Sequence, residues 1–166
     1  SEKERERLAT KALRLIAKIS PLELICAITT RKKSGATNIG KRLEGFVAPN
    51  DVTLETGLLY PIFRTNLSVA KDTRIGIFNP SPYFIRKILN DTSLKDRSIT
   101  FVLQDERIVQ LLCHQFKNEI YAPRIGANIS VISSATLSSQ LSGGSMLPYQ
   151  KVFLFCNGLP VSEQQI

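Results

Sequence analysis

Arg74-Ile75-Gly76-Ile77-Phe78-Asn79-Pro80-Ser81-Pro82-Tyr83 is followed, one helix-length later, by Ile99-Thr100-Phe101-Val102-Leu103-Gln104-Asp105-Glu106-Arg107-Ile108. Each stretch opens on a short apolar run and passes through turn residues into a segment suited to begin a helix. Ile75–Phe78 and Ile99–Leu103 read as strands. Ser81 before Pro82 supplies an N-cap and a proline at the first helical position, so Pro82–Leu89 reads as a helix. Glu106–Phe116 reads as another, with Ile108, Leu111, Leu112 and Phe116 on one face. Ile129–Ile132 and Val152–Cys156 add two further strands. Strands separated by helices predict a Rossmann-like α/β domain with a parallel sheet of about four strands and right-handed crossovers.

Outward from this core the pattern changes. Leu8, Ala12, Leu15, Ile16 and Ile19 recur at helical spacing, so the first twenty residues predict an amphipathic helix that packs on the domain or on a partner. Ser20-Pro21-Leu22-Glu23 has the form of a capped helix start and predicts a second helix to about Thr30. Residues 31–45 lack apolar periodicity and read as a basic loop. Asn50 or Asp51 caps a predicted helix from Val52 to about Tyr60. The serine- and glycine-rich stretch Ser133–Ser145 reads as a long loop in place of a third crossover helix. The expected organisation is a basic helical extension and loop over 1–46, then the Rossmann-like domain over 47–166.

The 166 residues suit one core, and no apolar run reaches the roughly 18 residues of a membrane-spanning helix. The charged start, Ser1-Glu2-Lys3-Glu4-Arg5-Glu6-Arg7, lacks the apolar stretch of a secretory signal, so the protein is expected to be soluble and not secreted. The net charge is +8. Residues 1–46 hold eleven Lys/Arg against five Asp/Glu, a balance of +6 in that segment alone. Such asymmetry points to a polyanionic partner, because each neutralised phosphate releases counterions. Cys26, Cys113 and Cys156 lie too far apart for a CxxC metal site and read as buried small hydrophobes. A single histidine, His114, makes a zinc site or Cys-His nucleophile improbable.

Three segments, in order, resemble the nucleotide-binding core of the ribosomal RNA adenine dimethyltransferases, a class I methyltransferase-type fold. In Ile77-Phe78-Asn79-Pro80-Ser81-Pro82-Tyr83 both prolines keep the register of the family's acidic residue and glycine-proline-glycine-proline-glycine turn. Asp105 and Arg107 match the end of its second strand, where Leu103 stands at the ribose-binding glutamate. Asn157-Gly158-Leu159-Pro160 resembles the asparagine-leucine-proline-aromatic catalytic signature with Gly158 inserted and Pro160 or Val161 at the aromatic position. Gly40–Asn50, with Phe46, resembles the entry motif, and a preceding helical stretch resembles mitochondrial members.

What the resemblance implies is a cofactor site present in outline and altered in substance. The vestigial positions are Ile77, Asn79, Ser81, Tyr83, Leu103, Ala135 and Asn157. Ile77, Leu103 and Ala135 replace acids; Asn79, Ser81 and Tyr83 replace glycines, and Tyr83 is expected to enter the space of the methionine moiety. The expectation is a methyltransferase-like protein with no cofactor and no catalytic residue. It would bind RNA or DNA through Lys32, Lys33, Lys41 and Arg42, acting in mitochondrial transcription or on the ribosome beside an RNA polymerase or ribonucleoprotein partner. Otherwise it would be cytoplasmic. Two alternatives stand beside it: an active S-adenosylmethionine-dependent RNA adenine methyltransferase with a rearranged site, in which Asn157 holds a flipped adenine, and a structural subunit whose first helix and serine-rich segment contact other proteins.

Overall fold

A strand buried on both faces must be apolar along its whole length, and Ile75, Ile77, Ile99, Phe101, Val152 and Phe153 satisfy that demand at 2% exposure or less. In the computed structural model, which describes residues 2–28, 51–56, 71–94, 96–118, 128–144 and 149–155, they lie in a six-stranded, wholly parallel sheet. The strands are β1 (Glu23–Ile28), β2 (Asp51–Thr56), β3 (Arg74–Phe78), β4 (Ser98–Leu103), β5 (Ile129–Ser133) and β6 (Lys151–Phe155), in the order β2-β1-β6-β3-β4-β5. The helices are α1 (Glu2–Ile19), α2 (Pro82–Asn90), α3 (Glu106–Asn118) and α4 (Ser134–Gly143), with a short 3-10 turn at Thr92–Leu94.

The expected α/β class with a parallel sheet is present, and its winding explains where the helices lie. From β3 the chain steps outward to β4 and β5, and α2 and α3 cover one face through Phe84, Ile85, Ile88, Leu89, Val109 and Leu112. It then returns past β3 to β6, and α4 lies on the opposite face with α1. Reversing direction changes the face, as right-handed crossovers require. Counted from β3, strands β3 to β6 stand in the order third-second-first-fourth, the first four positions of a doubly wound nucleotide-binding sheet. The next two positions are filled by β1 and β2 from earlier in the chain.

Three expectations about local structure are corrected. The segment after Ser20 is a strand, not a helix: Ser20 takes φ +52 and its amide donates to the Ile16 carbonyl, ending α1, while Leu24, Ile25 and Cys26 pair with β2 and β6. Sheet pairing on both sides outweighs the local capping signal. Asp51–Thr56 is likewise a strand beside β1, and Asp51 opens it instead of capping a helix. Ser134–Gly143 is a helix, not a loop: the Ser133 hydroxyl accepts from the Thr136 amide, Leu137 and Leu141 pack one turn apart, and Gly144 closes it at φ +65. The sheet has six described strands where about four were expected. The expected boundary at residue 46 falls outside the described residues, and α1 and β1 share the core of the later strands.

Two contacts fix the amino edge of the sheet and the α1/α4 face. The Lys151 ammonium, almost buried, lies 3.3 Å from the Glu23 carboxylate at matched positions of β6 and β1. Gly76 admits the ring of Tyr149, whose Cδ2 would stand 2.5 Å from any Cβ placed there. Burial pushes the Tyr149 phenol up to about 12, partly offset by its hydrogen bond with Thr100. Cys26 is buried as expected, Cys113 is half-buried, and Cys156 lies outside the described residues.

Candidate functional site at the carboxyl edge of the sheet

In a doubly wound sheet, ligands meet the carboxyl ends of the strands where the winding reverses. Here that point lies between β3 and β6, flanked by β4. The fold brings Asn79, Ser81 and Tyr83 to the end of β3, Leu103 to the end of β4 and Ala135 to the first turn after β5. Asn157, Lys32, Lys33, Lys41 and Arg42 lie outside the described residues.

Asn79 stands where the resemblance places a glycine, and it adopts the left-handed conformation with φ +59. Asparagine tolerates that region better than most residues, so the tight turn forms without a glycine. The Asn79 amide donates to the Val102 carbonyl at 2.9 Å, fastening the turn to β4. Ser81 caps α2: its hydroxyl accepts from the Phe84 amide at 3.2 Å. Pro82 has no N–H, so the first turn of α2 has little to offer an anion beyond the Tyr83 amide.

The Tyr83 side chain does not enter the crevice. It is 69% exposed, and the Lys87 ammonium one turn later lies 5.2 Å from its ring centroid. A cation–π contact along the outside of α2 accounts for the ring's place there. Ile77 is fully buried and Leu103 nearly so, both in the cluster beneath α2 and α3. Ser134, itself buried, donates its hydroxyl to the Leu103 carbonyl at 3.3 Å. Ala135 is exposed. Asp105 caps α3 by accepting from the Arg107 amide at 2.9 Å. The side-chain contact between these two, 3.7 Å long and well exposed, is a weak surface pair.

Sequence reasoning missed Gln104. Among the described residues both atoms of its amide are buried without a hydrogen-bond partner, an arrangement that costs stability unless something meets them. Its position directly after the end of β4 was the signal that could have found it. No group of three or more His, Cys, Asp or Glu among the described residues could hold a metal, and no helix among them is long and apolar enough to cross a membrane. No family model matches the chain, and neither does any curated protein or solved structure.

Proposed function

We propose that this chain is a degenerate relative of the ribosomal RNA adenine dimethyltransferases that binds RNA without using S-adenosylmethionine, in mitochondrial gene expression. The observation that carries the reading is the burial of Ile77 and Leu103 in the core at two positions where the resemblance calls for carboxylates. A ribose diol is held by hydrogen bonds to an acid, and an aliphatic side chain committed to the core cannot make them. The capped, proline-led start of α2 supports the same reading. The +6 balance of residues 1–46 supports the nucleic-acid partner.

The experiment is RNA binding across a salt series. Reversing Lys32, Lys33, Lys41 and Arg42 to glutamate should weaken affinity and flatten the salt dependence by about 0.7–0.9 per lost phosphate contact. Unchanged affinity and slope would remove these residues from the interface.

Two observations favour a second reading. The unpartnered Gln104 amide and the retained turn at Asn79 would suit a rearranged cofactor site, since an amide can both donate to and accept from an adenine edge. On that reading Gln104→Met abolishes S-adenosylmethionine binding; on the leading one there is no binding to abolish.

A further inference from the structure

Helix α1 carries a feature that neither the cofactor crevice nor the sheet requires. Arg7, Lys11, Arg14 and Lys18 are all exposed. Their spacing places them within an arc of about 60°, in a row about 16 Å long. Ala12, Leu13, Leu15, Ile16 and Ile19 are buried on the other side. No Asp or Glu occurs between Arg7 and Ile19. Like charges three and four residues apart weaken a helix, so helix stability does not explain the row. Among the described residues, Lys11, Arg14 and Lys18 make no ion pair.

Helix α4 packs beside α1 on the same face of the sheet. Its ten residues include no charge, and it exposes Ser139 and Ser142. The opposite face differs: α2 and α3 expose Arg86, Lys87 and Arg107 together with Glu106, Ile108 and Leu111. One face of the sandwich thus joins a pure cation row to a neutral hydroxyl surface.

We infer that the α1/α4 face is a docking surface for the sugar-phosphate backbone of RNA, with the α1 row on phosphates and the α4 hydroxyls beside the ribose. This rests on the reading of the chain as an RNA-binding protein and names for it residues other than Lys32, Lys33, Lys41 and Arg42. Cations and hydroxyls are the groups that take phosphate and sugar contacts. The ribose 2′-hydroxyl, donor and acceptor at once, gives Ser139 and Ser142 a partner that DNA lacks. An anionic membrane is the poorer fit, because an interfacial helix buries its apolar face in lipid and α1 has committed that face to the sheet.

The test is fluorescence anisotropy of the full chain with an oligouridylate and its deoxy analogue of equal length, across a salt series. The triple variant Lys11→Gln, Arg14→Gln, Lys18→Gln keeps residues of similar helix propensity, and circular dichroism checks its fold. We expect the slope of log affinity against log salt to fall by about 2, at about 0.7 per lost contact on a single strand. RNA should bind more tightly than DNA, and Ser139→Ala with Ser142→Ala should narrow that gap. If the unaltered chain binds RNA and the triple variant keeps its slope, this surface is wrong and the proposed function stands. If the unaltered chain binds no RNA, both fall. DNA bound as tightly as RNA overturns the role of the hydroxyls.

Discussion

The carboxyl edge of the sheet and the outer face of α1 use their polar and charged groups in opposite ways. At the edge, the Gln104 amide apart, the polar groups are satisfied from within: Ser81 caps α2, the Asn79 amide is bonded to β4, Ser134 is bonded to Leu103, and Ile77 is sealed in the core. On α1 a row of cations faces solvent with no acid interleaved from Arg7 to Ile19. The first region lies where a doubly wound sheet meets ligands, yet its caps and turns bond within the fold and Ile77 faces the core. The second resembles ordinary surface yet is arranged at a cost to its own helix. Position in the fold alone does not tell which polar groups remain for a partner.

The comparison breaks most visibly at Ile77. Placing an acid there with Ile77→Glu should destabilise the protein by about 3–5 kcal/mol, the scale of an uncompensated buried charge. A urea midpoint close to that of the unaltered chain would mean that the position opens onto a solvated pocket. Gly76→Ala probes packing on the other face of the same strand. The overlap with Tyr149 should cost about 1–3 kcal/mol, and Tyr149→Leu should relieve part of it. Strict additivity of the two changes would deny the contact.

Two smaller effects sharpen the contrast. Gln104→Met should stabilise the protein by about 1 kcal/mol or more, because it removes a buried amide that lacks a partner. A loss of stability would show that the amide is satisfied. Tyr149 keeps its proton to about 12 against the ordinary 10.0 because it is buried. Its contribution is fully present below about pH 10 and is lost as pH rises through about 12. Tyr149→Phe should abolish that alkaline slope, and a phenolate absorbance change near pH 10 that is lost in Tyr149→Phe would contradict the burial. The Lys11, Arg14 and Lys18 triple variant should change stability least, by about 0.5 kcal/mol or less in either direction.

The same contrast decides what could be read before folding. Strands β3, β4, β5 and β6 were legible because each is a short apolar run bounded by turn residues. Strand β1 was not, because Ser20-Pro21-Leu22-Glu23 imitates a helix start while its real partners, β2 and β6, are remote in sequence. In α4 serine content masked the spacing of Leu137 and Leu141 and the caps at Ser133 and Gly144. At the site, local sequence placed the turn at Asn79 and the cap at Ser81. It could not give the direction of the Tyr83 ring, which lies beside Lys87, or the burial of the Gln104 amide, which depends on the surrounding fold.

The most direct test of the central claim is calorimetric titration of the full chain with S-adenosylmethionine. A micromolar ligand needs about 8 kcal/mol of binding free energy, and the loss of several charged hydrogen bonds at about 1.5–3 kcal/mol each removes most of it. No binding heat is expected at millimolar ligand, with or without RNA. A micromolar dissociation constant, lost in Gln104→Met, would contradict it and restore a working cofactor site.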